Sequence, residues 1–318
     1  MHPMPNRLYR PLLLVILIAL LIGGCTRISL VYRNLDHLIP WQVDDYVDMS
    51  PAQEEDFRHY LAEHLSWHCS TQLPQYLAWL DRLEAEPVTH ENLRARYREA
   101  QRAMDAVAAE ITPSTVDLLR RLDDDQVREL YAKLDKDHRE RVEKYLEPPL
   151  DEQISERVER MRERLEDWFG RLNETQRERV SAWSEALGDR NAQWLANRAR
   201  WQQAFKDAIA DRHAEDFPER IARLLQRREA FWTEPYRDSH AQAEQAGIDL
   251  AVDLYALADE RQRQHLEARI EDIRRDLANL ECLPRADDRD DGIDRRAELS
   301  DSQGPAPAPS ASADGEPR

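Results

Sequence analysis

Apolar residues recur at intervals of three and four along most of this chain, the pattern of helices that bury one face. One such stripe contains Val180, Trp183 and Leu187, and another contains Leu266, Ile270 and Ile273. We therefore predict an all-α fold, an elongated bundle of antiparallel helices, because narrow stripes let neighbouring helices bury a common seam. The clearest stripe has charged residues between almost all of its members: Leu150, Ile154, Val158, Met161, Leu165, Trp168 and Leu172.

Prolines and capping residues divide this pattern into separate helices. Ser50-Pro51 and Thr112-Pro113 each place a capping hydroxyl before a proline, which predicts that a helix begins there. Pro74 predicts a kink or an interruption, because proline removes a backbone donor and clashes with the preceding turn. Pro87 and the pair Pro148-Pro149 predict breaks between helices.

Composition agrees with a helical fold and limits the partners. Only 8 of 318 residues are glycine, whereas strands and their turns need more glycine and β-branched residues. The formal net charge is -18, and removal of residues 1–24, with two arginines and no acidic residue, would take it to -20. Because nucleic acid repels so acidic a chain, we expect no nucleic-acid partner.

Residues 1–24 have the parts of a signal peptide. A basic start is followed by an apolar run from Leu12 to Ile22, which is too short to span a bilayer comfortably as a permanent helix. An uncleaved membrane anchor is the alternative interpretation. The end of this segment, Ile22-Gly23-Gly24-Cys25, resembles the motif read by lipoprotein signal peptidase. The resemblance implies cleavage before Cys25 and lipid attachment to its side chain.

The residue after the cysteine bears on the location. In Gram-negative lipoproteins an aspartate there typically retains the protein at the inner membrane, and this chain has Thr26. The resemblance therefore implies an outer-membrane lipoprotein that faces the periplasm, with the inner membrane as the alternative. Two or three acyl chains would hold such a protein stably on its membrane.

The segment after Cys25 becomes aliphatic and aromatic almost at once, so we expect it to pack onto the body rather than to form a flexible tether. An amphipathic helix in the lipid interface is the alternative, although the segment lacks the usual basic face. The segment resembles an uncharacterised family of Gram-negative lipoproteins, described only as a domain of unknown function. This resemblance implies a lipoprotein with an all-helical fold and transfers no activity. It rests on Tyr32, Asn34-Leu35-Asp36, Trp41, Tyr46, Asp48, Gln53 and Cys69-Ser70-Thr71-Gln72-Leu73-Pro74.

The two remaining cysteines are candidates for one long-range disulfide. Cys69 and Cys282 lie near opposite ends of the expected helical body, and the implied compartment is oxidising. Two isolated buried thiols are the alternative.

A short signature recurs: a Leu or Met, a short polar residue, two further residues, and then Gln, His or Arg. It is typical of a helix start, where the polar residue caps free amides and the apolar residue packs against the first turn. It also resembles the Leu-Thr-x-x-Gln signature of small helical stress chaperones of the periplasm. Helix capping alone explains the repeat, and a chaperone-like function remains the alternative. The copies are Met49–Gln53, Leu122–Gln126, Leu134–His138, Leu172–Gln176 and, more weakly, Leu257–Arg261.

One helix carries the best candidate for metal chemistry. His64 and His68 are four residues apart and share a helix face, with His59, Glu63 and Cys69 nearby. A third ligand cannot be identified, and Glu63 precedes His64 where zinc proteases have it following. We therefore expect packed, hydrogen-bonded histidines, no bound metal and no other cofactor. A metal-dependent hydrolase is the enzymatic alternative.

These observations divide the chain into a lipoprotein signal peptide in residues 1–24, a helical bundle domain in 25–283 and a tail in 284–318. The tail is acidic and then rich in Pro and Ala, so it cannot bury a core and is predicted to be disordered. We expect a non-enzymatic envelope lipoprotein, held on the membrane by its N-terminal lipid. Apolar grooves between helices would bind an unidentified envelope protein or cell-wall component.

Overall fold

The all-α prediction is confirmed in the computed structural model, which describes residues 31–280. The expected signal peptide, Cys25, Cys282 and the tail 284–318 lie outside this range. No helix within it is both long and apolar enough to cross a membrane. The described part contains eleven α-helices and no strand: α1 Leu35–Asp44, α2 Pro51–Trp67, α3 Leu73–Ala85, α4 His90–Arg120, α5 Asp124–Tyr145, α6 Leu150–Phe169, α7 Glu174–Ala186, α8 Arg190–Ala210, α9 Phe217–Gln226, α10 Glu234–Ala256 and α11 Glu260–Ala278.

Four helices begin at a reciprocal capping box, in which the capping side chain and a glutamine three residues later each accept a backbone N–H. These pairs are Ser50 with Gln53, Asp123 with Gln126, Asn173 with Gln176 and Asp259 with Gln262. The capping interpretation of the recurring signature is therefore confirmed at three of its copies.

Two copies of the signature were wrongly assigned. Leu134–His138 lies inside α5, where Leu134 is buried and the helix continues without a break. The final copy is displaced by one residue, since Asp259 is the cap and Gln262 occupies the glutamine position. Local sequence could not reveal the first error, because Asp135 is as good a cap as Asp123 until packing of the surrounding helix decides between them.

The capping glutamines also pair with one another across the fold, forming two contacts that we call glutamine clasps. In the first, the side-chain amides of Gln53 and Gln126 exchange hydrogen bonds of 3.1 and 2.8 Å. In the second, Gln176 and Gln262 exchange bonds of 3.1 and 2.9 Å. Each clasp therefore joins the starts of two helices that are distant in the sequence.

The prolines have three different outcomes. The breaks predicted at Pro87 and Pro148-Pro149 are confirmed. At Pro74 the chain stays helical, because the π-helical turn His68–Gln72 widens the backbone just before the proline. The helix start predicted at Thr112-Pro113 is wrong, since α4 runs from His90 to Arg120 with Pro113 inside it. Thr112 is buried and donates its hydroxyl to the carbonyl of Ala108, one turn earlier in the same helix.

The N-terminal segment packs onto the body, as expected. Tyr32 and Leu35 are 4% and 5% exposed and join a core formed with α2, α3 and α11. A second core lies among α6, α7 and α10. Two further cores connect α8 with α5 and α9. The first core, which brings together both ends of the described chain, forms one wall of the candidate site.

Candidate functional site: an apolar cleft with an arginine rim

A cleft of about 720 Å³ lies between α3, α4 and α11. Its volume is in the range of ~300–1,000 Å³ that is typical of small-molecule sites. Helical spacing explains the apolar wall, since residues three or four apart on α3 and α11 face the same side. That wall includes Trp79, Leu80, Leu83, Trp168, Ile273 and Leu277.

The lining of the cleft also carries an excess of positive charge, from three arginines that we call the arginine rim. Arg82, Arg96 and Arg102 all line it, with Glu99 as the one carboxylate among its lining residues in the described chain. Glu99 accepts a hydrogen bond of 3.0 Å from Arg82 Nη2 and forms an ion pair of 3.1 Å with Arg96 Nη2. Arg102 Nη2 is 3.9 Å from the same carboxylate. One negative charge is therefore shared by three positive charges.

Arg96 is the most buried of these arginines, with 9% of its surface exposed. Its backbone carbonyl accepts a hydrogen bond of 3.0 Å from Trp79 Nε1, which ties α4 to the apolar wall. Its Nε and Nη1 atoms are buried without a hydrogen-bond acceptor among the described residues. The Glu86 carboxylate lies 3.8 Å from Nε, close enough for charge attraction but too far for a hydrogen bond. This guanidinium, from a residue that lines the cleft, therefore has two buried donors without a hydrogen-bond acceptor in the described chain.

A chain of polar side chains leads into the apolar wall. His68, in the π-helical turn, is 3.2 Å from the hydroxyl of Tyr32 through Nδ1 and 3.2 Å from that of Tyr76 through Nε2. Tyr76 in turn lines the cleft. Burial lowers the pKa of His68 to about 4 and raises the pKa of both tyrosines to about 12. All three groups are therefore neutral at pH 7, as a network inside an apolar core requires.

A smaller cavity of about 340 Å³ shares Leu93 and Tyr97 with the cleft. Arg190, His240 and Glu244 also line it. The ring of Trp232 packs 4.6 Å from that of His240. The pKa of His240 is lowered, chiefly by burial and then by Arg190. This cavity lacks the broad aromatic and aliphatic wall of the cleft.

The residues considered for metal chemistry lie close together but are already engaged. His64 contacts Glu110 at 3.1 Å through Nδ1 and Ser114 at 2.7 Å through Nε2, while both nitrogens of His68 face tyrosines. His59 pairs with Glu63 at the surface. Within residues 31–280, no three His, Cys, Asp or Glu side chains are grouped so as to hold a metal ion.

The remaining sequence candidates have diverse positions. Cys69 is 3% exposed and belongs to the core that contains Leu277 of α11, while its proposed partner Cys282 lies outside the described residues. Asp123 is a helix cap, as expected, and Asp124 binds Arg212 at 2.6 Å. Trp41, one of the residues that carry the family resemblance, is 56% exposed on α1.

Sequence reasoning missed the arginine rim. The chain contains 45 basic residues, so three particular arginines spread over residues 82–102 carry no local signal of a shared site. Trp79 and Leu80 could be assigned to an apolar stripe. The sequence could not show that the stripe is incompletely covered by its neighbours.

Comparison with known proteins places the chain in one group. A family model described as "Family of unknown function (DUF6279)" matches residues 45–237, more than half of the chain. No curated protein matches. No solved structure matches either. The match includes α2 to α9 and the arginine rim, while α11, which completes the apolar wall, lies beyond it.

Proposed function

The chain belongs to the DUF6279 family of unknown function, and we propose that it is a non-enzymatic, lipid-anchored envelope lipoprotein. It would sit at the outer membrane, face the periplasm and bind an apolar group of an envelope component in the cleft between α3, α4 and α11. The observation that supports this function is a cleft of about 720 Å³ whose wall is aromatic and aliphatic. Transfer of an apolar group from water to such a wall is favoured, because it removes apolar surface from contact with water.

Filling the cleft provides the test. Ala100 lines it from α4, and Ala100→Trp would place an indole in the space that a ligand would occupy. We expect this variant to bind the neutral fluorophore N-phenyl-1-naphthylamine at least about tenfold more weakly, because apolar contact area is lost to the new side chain. Fluorescence titration of the chain from residue 25 onward, which contains every described helix, measures the effect. Cys25→Ser keeps that protein free of its own lipid.

Ala109→Trp is the matched control, since Ala109 lies exposed on the same helix. It introduces the same side chain outside the cleft and should leave fluorophore binding unchanged. Equal binding by wild type and both variants would contradict a function for the cleft.

The proposed anchor rests on the cysteine motif and has its own test. Labelled palmitate supplied to growing cells should enter the wild-type chain and be absent from Cys25→Ala, because acylation needs the thiol. Membrane fractionation of the same cells would report the location. Equal labelling of the two chains would rule out lipid attachment at Cys25.

The proposed Cys69–Cys282 disulfide has indirect support. Cys69 is buried in the same core as Leu277, and Cys282 follows only five residues later in the sequence. A bridge would tie the end of α2 to the chain beyond α11. A change in electrophoretic mobility on reduction, absent from Cys69→Ser, would test it.

The chaperone alternative rested on the recurring signature, which has another explanation within the fold. The glutamines of the recurring signature are engaged in capping boxes and clasps, and Gln176 and Gln262 are 0% and 2% exposed. These side chains therefore have a role within the fold that explains the signature without a polypeptide client.

A further inference from the structure

We infer that the cleft binds a single-chain anionic amphiphile, with its acyl chain against the apolar wall and its acidic group on Arg96. This inference rests on the proposed function and specifies the chemical class of the ligand. A fatty acid and a lysophospholipid share this chemistry, a long apolar chain that ends in an oxyanion. The apolar wall of the cleft suits the chain of such a molecule, and the arginines suit its oxyanion.

The charge of the cleft favours an anion. Three arginines and one glutamate line it, although the whole chain has a formal net charge of -18. Local positive charge in a partly enclosed apolar space acts more strongly than the same charge in open water. Glu86 lies 3.8 Å from Arg96 Nε, and an excess of one positive charge remains after both Glu99 and Glu86 are counted against the three arginines.

Arg96 supplies the specific contact. Its guanidinium is nine-tenths buried and uses Nη2 for Glu99, while Nε and Nη1 have no hydrogen-bond acceptor in the described chain. Leaving buried donors unpaired costs free energy, and a carboxylate or phosphate supplies the oxygens that a guanidinium prefers. An acidic head group that bonds to Nη1 would satisfy a donor that the described residues leave open, while Glu86 stays 3.8 Å from Nε.

The wall favours an acyl chain over a polypeptide. Every buried peptide N–H and C=O needs a partner, whereas Trp79, Leu80, Leu83 and Ile273 present mainly apolar surface. An acyl chain has no polar groups to satisfy. The cleft volume also suits one small ligand rather than a folded segment.

Ligands that share one alkyl chain but differ in their head group test the inference. Decanoate, decyl phosphate and decanol would each be titrated into the chain from residue 25 onward with Cys25→Ser, with displacement of N-phenyl-1-naphthylamine as the readout. We expect decanoate or decyl phosphate to bind at least about tenfold more tightly than decanol, the gain of a charged hydrogen bond. The tighter of the two anions would identify the preferred head group.

Arg96→Met removes the guanidinium but keeps an unbranched apolar side chain. This variant should lose the preference for anions by at least about tenfold while its affinity for decanol stays the same, which also shows that it remains folded. Arg98→Met, exposed on the same helix, is the control and should retain the preference.

The outcomes separate the two proposals. Equal binding of decanol and both anions, or an anion preference that survives Arg96→Met, would overturn the amphiphile inference and leave an apolar site. Failure of all three ligands and of the fluorophore to bind would overturn the proposed function itself.

Discussion

Gln176→Ala should reduce the free energy of unfolding by about 3 kcal/mol, because it breaks the second glutamine clasp and leaves a small cavity. Gln176 is fully buried and donates to Gln262 at 3.1 Å, while its own Oε1 accepts from Gln262 at 2.9 Å. The same oxygen accepts the backbone N–H of Asn173, so the variant also loses half of a capping box. Urea unfolding at pH 7 measures the difference.

A double-mutant cycle with Gln262→Ala isolates the clasp. We expect the two losses to be less than additive, since both variants remove the same pair of hydrogen bonds. Gln264→Ala is the control on α11, because Gln264 is exposed and bonds only to Glu260 of its own helix among the described residues. It should change the stability by less than about 0.5 kcal/mol. A loss in Gln176→Ala as small as that of the control would contradict a stabilising role for the clasp.

Acid should destabilise the protein through His68, and His68→Gln should remove that contribution. The pKa of His68 is about 4 in the folded state against the ordinary value of 6.5. Between these values the unfolded chain binds a proton that the folded chain does not, so stability falls as pH decreases from about 6.5 to about 4. From pH 7 to pH 5 the contribution amounts to about 2 kcal/mol.

Glutamine suits this test because it can still hydrogen-bond to Tyr32 and Tyr76 but does not titrate. Urea unfolding at pH 7 and pH 5 should show a smaller acid loss in His68→Gln than in the wild type. Burial also lowers the pKa values of His138 and His240, so part of the acid sensitivity will remain. Identical acid losses in wild type and His68→Gln would contradict the shifted pKa.

Some features of the fold could be predicted from the sequence, and others could not. Capping at Ser50, Asp123 and Asn173 could be predicted because the chemistry is contained within four residues. Pro113 could not be placed correctly, because the gain from packing α4 against its neighbours outweighs the lost backbone hydrogen bond. At His68 a packed, hydrogen-bonded histidine was expected because no third metal ligand could be identified, but the sequence could not name its tyrosine partners.

The candidate site was the least predictable feature. Its apolar wall needs Leu80 from α3 and Ile273 from α11, near opposite ends of the described chain. Arg96 looks like any other charged residue on an amphipathic helix. Its meaning comes from the burial of its guanidinium and from donors that lack acceptors, and both are properties of the packed helices.

By itself the sequence determined the helical class, several helix starts and the acidic character of this protein, because periodicity, capping and charge act locally. It also supplied the cysteine motif on which the proposed membrane anchor rests. Only the tertiary structure decided which capping glutamines meet, where a helix passes through a proline and where apolar stripes leave a cleft. Those outcomes depend on the free energy of contacts between helices distant in the chain, which no short stretch of residues contains.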